Sequence, residues 1–215
     1  MDNELVNAVL ALDDNTKPKK FVVVIDTQFD FVMPDGALYV TDAQSTVLPT
    51  IQYLYGLTPE ETAGVLFTFD THHKETYEGS EEAKQFPIHC VHKTPGWQNV
   101  YNKELVDGRI EVVTLEKGVF NMWEDDNVMV KGLDGRPLAF ENDRDHFFES
   151  LLEDGVRDVV IIGVAADFCV KWAADGFLAR GFNVEIPRRL TRGIVRDIDT
   201  VVREDYAGKN IKVTA

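Results

Sequence analysis

Phe21-Val-Val-Val-Ile-Asp26 is the stretch that decides the fold. Five apolar residues in a row, with no polar alternation, read as a strand buried on both faces, as strands are in parallel sheets. Similar runs lie at 64–70, 111–116, 158–163 and 182–187, and Lys209 to Ala215 can add a sixth strand. Helix-like segments separate them. Val47, Leu48, Ile51, Leu54 and Tyr55 recur at helical spacing. A second helix is signalled by Asn142 or Asp143 as N-cap, the apolar residues Phe147, Phe148, Leu151 and Leu152, and Gly155 as terminator. A third starts near Asp167, buries Val170, Ala173, Ala174, Phe177 and Leu178, and stops before Gly181. Strands alternating with helices imply right-handed βαβ units and a doubly wound, mainly parallel α/β sheet.

Four of these runs deliver a reactive side chain at or just past their last residue. Asp26 follows Phe21–Ile25, and Asp70 follows Val65–Phe69 with His72 two residues on. Val112–Leu115 leads through Glu116 to Lys117, and Val159–Ile162 leads through Gly163-Val-Ala-Ala-Asp-Phe168 to Cys169. Ligand crevices in open α/β sheets lie beyond the carboxyl ends of the strands, so these groups converge in one cleft. That convergence reads as an enzyme.

The bulk composition narrows the classes. The chain of 215 residues is 44% hydrophobic and 27% charged, an ordinary globular balance for a single domain. A net charge of −15 argues against a nucleic-acid partner, whose phosphates demand clustered Lys and Arg. No apolar stretch nears the ~20 residues of a membrane span, and the start Met-Asp-Asn-Glu-Leu carries acids where a secretory signal carries cations. Cys90 and Cys169 are too few for a disulfide framework, so a cytoplasmic setting is expected. Residues 1–19 read as an N-terminal extension, 71–100 as a functional loop, and 124–142 as an insertion or lid.

Cys169 lies at a helix start, where free N–H groups and the helix dipole lower a thiol pKa; the alternative is a small buried residue. Asp26 is positioned to take the thiol proton and Lys117 to hold the thiolate by charge, though either is also readable as a turn-former or a surface lysine. Asp30 and Phe31 read equally as a loop acid and a core aromatic. Asp70, His72 and His89, with Glu78, Glu81 or Glu82 between them, supply oxygen and nitrogen donors suited to zinc, manganese or iron. His73 and His92 read as bystanders, and Cys90 as a packed thiol.

The pieces Val24-Ile-Asp-Thr-Gln-Phe-Asp-Phe31, Asp70-Thr-His72, Phe86-Pro-Ile-His-Cys90 with Thr94-Pro-Gly96, Glu116-Lys117 and Gly163-Val-Ala-Ala-Asp-Phe-Cys169 follow one another across residues 21–186. In that order they resemble the nicotinamidase/pyrazinamidase branch of the isochorismatase-like cysteine hydrolases. The resemblance implies a Rossmann-like three-layer α/β/α fold and a triad of Asp26, Lys117 and Cys169. It implies a divalent metal, zinc first and iron or manganese next, on Asp70, His72 and His89, with Glu82 the preferred fourth ligand by counting back from His89. It also implies a cis peptide at Val164–Ala165, an oxyanion hole from the Ala165 and Cys169 amides, and Phe31, Phe86 and Val164 against the substrate. The implied reaction is hydrolysis of nicotinamide, and of pyrazinamide, through a thioester, in a homo-oligomer. Lys93 departs from the pattern, since the family usually has glycine there. The competing readings are a metal-independent cysteine amidohydrolase of the same superfamily acting on a carbamoyl or ureido compound, and a non-catalytic metal-binding or thiol redox protein.

Overall fold

A computed structural model describes residues 18–126, 128–132 and 143–215. Among the described residues, eight strands form one sheet: β1 Lys20–Ile25, β2 Thr62–Asp70, β3 Val112–Lys117, β4 Val130–Gly132, β5 Asp158–Val164, β6 Asn183–Pro187, β7 Thr191–Arg192 and β8 Ile211–Thr214. Their order is β4-β3-β2-β1-β5-β6-β8, with β7 beside β5. Every pairing is parallel except β3 with β4. The chain steps outward from β1 through β2 to β3, then returns to β5 on the other side of β1. The carboxyl ends of β1 and β5 therefore flank the topological switch point, where open sheets of this kind bind ligands.

The helices are α1 Phe29–Val32, α2 Val47–Tyr55, α3 Lys74–Tyr77, α4 Arg144–Glu153, α5 Cys169–Ala179 and α6 Ile198–Asp205. The alternation of side chains along β1 divides the core into two layers. Phe21, Val23 and Ile25 pack with Phe147 and Phe148 of α4, Ala173, Ala174 and Phe177 of α5, and Ile198 and Val201 of α6. Val22 and Val24 face the other way, with Leu54 of α2, Phe67, Tyr101, Val106 and Ile162. Burial on both faces is the physical reason that β1 carries no polar residue between Phe21 and Ile25. Each such aliphatic side chain removed from water contributes ~1.5–3 kcal/mol.

The five apolar runs become strands within two residues of the expected bounds, and residues 209–215 do contain a strand, β8. Asp143 caps α4 by accepting from the His146 amide at 2.9 Å, and Gly155 and Gly181 take the left-handed backbone beyond α4 and α5. Five of these strands and helices were not read from sequence: α1, α3, β4, β7 and α6. Within the expected insertion at 124–142, β4 adds an antiparallel edge to β3; residues 127 and 133–142 lie outside the described residues. Of the expected extension at 1–19, residues 1–17 also lie outside them. Among the described residues, no helix is long and apolar enough to cross a membrane.

Gly163 pairs with Ile25 at the site end of β5 and β1. Its φ is 108°, and a Cβ there would stand 2.1 Å from the Ile25 carbonyl oxygen. Gly163→Ala is expected to cost about 2–5 kcal/mol, combining the left-handed backbone penalty with overpacking. Urea denaturation of the two proteins measures it.

Candidate active site

At the carboxyl edge, three buried groups meet around one buried amine. Lys117 ends β3 in register with Asp70 at the end of β2. Its Nζ lies 2.9 Å from Asp26 Oδ2 and 3.2 Å from Asp70 Oδ1, and it donates to Cys169 Sγ at 3.7 Å. Asp26 sits just past β1 with a left-handed φ of 44°, a conformation uncommon for a residue with a side chain. Thr68 holds it there: the Thr68 hydroxyl accepts from the Asp26 amide at 3.1 Å and donates to Asp26 Oδ1 at 2.6 Å.

The charges set one another. Burial pulls the Lys117 pKa down, but Asp26 and Asp70 outweigh it and keep the amine protonated well above the usual lysine range. Burial raises the Asp26 carboxyl above the ordinary carboxylate range, against the pull of Lys117. Burial also raises the Cys169 thiol, and Lys117 offsets only part of that; Asp26 and Asp70 add to the rise. The expectation of a thiol lowered by the helix start is therefore corrected. Cys169 does begin α5, but burial beside two carboxylates moves its thiol in the opposite direction from the one a helix start favours.

Asp70 joins this cluster to a second one. While Oδ1 faces Lys117, Oδ2 lies 2.9 Å from His72 Nε2 and 3.1 Å from His89 Nε2. Glu82 Oε1 stands 3.3 Å and 3.0 Å from the same two nitrogens. These four donor atoms lie within 4.8 Å of one another, and all four residues are buried. His89 Nδ1 is 2.7 Å from the Pro87 carbonyl oxygen. Donating there assigns Nδ1 its proton and leaves Nε2 as the ring atom that would face a cation between the carboxylates. Glu82 Oε1 is buried without a hydrogen-bond partner. Burial lowers the basicity of both imidazoles, but the Asp70 and Glu82 carboxylates against them outweigh it and raise each to about 9. Two carboxylates and two imidazoles converging on one buried point form a donor set that a divalent cation satisfies.

Of the three glutamates weighed, Glu82 turns inward while Glu78 and Glu81 are exposed. His73 is exposed and stacks edge-on with His92, ring centroids 5.1 Å apart, outside the cluster. Cys90 is fully buried, and its amide donates to Asp30 Oδ2 at 2.7 Å. Asp30 is thereby a tie between α1 and the loop carrying His89. Lys93 is exposed and adopts a φ of 63°, the left-handed conformation that a glycine takes without strain.

Val164–Ala165 is a cis peptide. Among the described residues, neither the Ala165 nor the Cys169 amide donates to a backbone carbonyl. Phe31 lies against His89, ring centroids 5.1 Å apart, in an apolar cluster with Val164 and Ala165. Phe86 packs on Phe120 at 5.4 Å and on Phe168 at 5.7 Å. Sequence reasoning gave no role in the site to Thr68, Gln28 or Phe120, and read Asp167 only as the start of a helix. Thr68 carried a signal, as a polar residue inside the apolar run Val65–Phe69. Gln28 donates to the Asp70 carbonyl and accepts from the Asp70 amide, each at 2.8 Å, fixing the end of β2.

Residues 20–197 match the isochorismatase domain family. The nicotinamidase of Saccharomyces cerevisiae is 26% identical, with 90% of this chain and 98% of that protein covered. The nicotinamidase/pyrazinamidase of Mycobacterium tuberculosis is 23% identical, covering 89% and 96% respectively. The crystal structure of the Pyrococcus horikoshii pyrazinamidase in complex with zinc has the same fold, with a TM-score of 0.65 at 23% identity over 92% of this chain and 99% of that one.

Proposed function

The chain belongs to the isochorismatase domain family, and from that footing we propose that it hydrolyses nicotinamide to nicotinate and ammonia through a thioester on Cys169. The observation that carries this reading is the single amine of Lys117 within reach of Asp26, Asp70 and Cys169, with Asp70 shared between that group and the cluster of His72, Glu82 and His89. The two relatives named for nicotinamidase activity support the choice of substrate.

Asp70, His72, Glu82 and His89 are the residues that would hold a divalent metal, zinc in the first instance. Its chemistry there, when bound, is to anchor the pyridine nitrogen and orient the ring. Phe31, against His89, and Phe86, against Phe120 and Phe168, flank the ring, so that the carboxamide is presented to Cys169, a proximity effect. Asp26 accepts the thiol proton as sulfur attacks the amide carbon. The carbonyl oxygen becomes an oxyanion that takes the Ala165 and Cys169 amides as donors, each worth ~3 kcal/mol in comparable sites. Lys117 stays charged throughout and stabilises the thiolate character of Sγ as it develops. Asp26 returns the proton to the departing nitrogen, releasing ammonia and leaving the thioester. Water then gives a proton to Asp26 and attacks the thioester carbon; collapse releases nicotinate, and the sulfur recovers the proton.

The tests follow from the ring nitrogen. Nicotinamide and pyrazinamide are expected to release ammonia, and benzamide, which lacks the nitrogen, to do so at least ~10-fold more slowly. Equal rates on all three would remove the anchoring role. His89→Ala is expected to weaken metal affinity by more than ~100-fold, the upper range for losing even an outer-sphere partner, and to raise KM. Unchanged metal content and KM would show that the metal assignment is wrong. A metal-independent amidase acting on carbamoyl compounds would have no use for the convergence of Asp70, His72, Glu82 and His89.

A further inference from the structure

The turn that presents Cys169 is clamped to a segment that the proposed chemistry does not touch. Asp167 is 8% exposed, and its carboxylate accepts three successive backbone amides, Ile194 on Oδ1 and Val195 and Arg196 on Oδ2, each at 2.8 Å. Gly193 makes that approach sterically feasible: a Cβ there would stand 1.8 Å from the Arg196 carbonyl oxygen and 3.1 Å from Asp167 Oδ1. Two further ties join the same pieces. The Ala166 amide donates to the Arg192 carbonyl at 2.8 Å, and Val164 pairs with Arg192 between β5 and β7. Behind the clamp, the Tyr206 hydroxyl past α6 donates to the Lys171 carbonyl of α5 at 2.8 Å.

The hydrogen bonds inside the turn sort its amides into two sets. Phe168 and Val170 donate to the Ala165 carbonyl, and Ala166 donates to Arg192. The amides of Ala165 and Cys169 stay available, and Asp167 lies midway between them in sequence. A carboxylate seated on three amides makes charge-assisted bonds in a concavity of aligned N–H groups, a strong restraint on this irregular turn.

We propose that Asp167 is a positioning residue for the amide hydrolysis, holding the Ala165 and Cys169 amides in the directions an oxyanion requires. The inference rests on the proposed nicotinamidase chemistry, and it gives residues 193–197 a task in that chemistry. Asp167 acts through the turn and touches no reacting atom. Asp167→Asn keeps the volume but turns an NH₂ group toward an amide donor. Asp167→Ser withdraws the acceptor from residues 194–196 altogether.

The test compares both variants with the parent protein in metal-loaded form. It measures kcat and KM for nicotinamide and, separately, the rate at which iodoacetamide alkylates Cys169. Alkylation needs the thiol but develops no oxyanion, so it reports an intact nucleophile. The expected result is a fall in kcat of ~10²-fold, the cost of a misplacement near 1 Å, with KM and alkylation rate within ~3-fold of the parent. Either variant showing this supports the proposal, so one that fails to fold leaves the other to decide. A kcat within ~3-fold of the parent overturns it. So does a parallel fall of kcat and alkylation, which would make Asp167 a general structural residue. Failure of the parent itself to release ammonia overturns the underlying reaction, and with it this inference, and is told apart by occurring without any substitution.

Discussion

Cys169→Ala is expected to reduce ammonia release from nicotinamide by at least ~10⁴-fold, to the background of the assay, while leaving substrate binding within a few-fold of the parent. The size follows from removing the nucleophile itself: without sulfur there is no thioester, and the remaining site can only orient water. Binding is expected to persist because the residues proposed to flank the ring, Phe31 and Phe86, and the cluster of Asp70, His72, Glu82 and His89 do not involve the thiol. The variant also removes Lys117's contact to Sγ at 3.7 Å, but that amine keeps two carboxylate partners. Stability is expected to change little. Single-turnover kinetics with calorimetric titration of nicotinamide separates the two effects, and turnover retained in the variant would mean that another group is the nucleophile.

Asp26→Asn carries the second largest effect, a fall in kcat of ~10²–10⁴-fold from loss of the general base. Here stability falls as well. Lys117 is almost fully buried, and removing one of its two counter-charges leaves a buried cation only partly compensated, at a cost approaching ~3–5 kcal/mol. The pH profile adds a signature. Asp26 must be ionised to accept the thiol proton, and burial raises its carboxyl above the ordinary range. Protonation as pH falls therefore removes activity, and the acid limb of kcat/KM is expected above pH ~4, where an unperturbed carboxylate would put it. A profile flat down to pH ~4 would exclude Asp26 as the base.

The strands that build the site were legible because their sequence signal is the same fact as their burial. Phe21–Ile25 and Val159–Ile162 are apolar at every position because both faces of the sheet are covered. β4 and β7 are three and two residues long, held by pairing to neighbours rather than by a pattern of their own. For α6, the N-cap Asp197, accepting from the Thr200 amide at 2.8 Å, and the spacing of Ile198 and Val201 were signals left unread.

For the site, residue type at the strand ends was readable, while the forces between the residues were not. Asp26, Asp70, Lys117 and Cys169 lie far apart in sequence, and only the parallel order β3-β2-β1-β5 brings their ends together. The thiol was misjudged because a helix start is visible in sequence and the desolvation of a group among two carboxylates is not. Asp167 was read as the start of a helix, yet its carboxylate turns to amides 27 to 29 residues further on. Such a contact belongs to tertiary structure alone.

The most direct measurement is ammonia release from nicotinamide by the purified protein, before and after exhaustive chelation and again after zinc is returned. The account predicts turnover that chelation abolishes and zinc restores. No ammonia from protein carrying its metal would contradict it, and turnover indifferent to chelation would contradict its metal half while leaving the chemistry of Cys169 standing.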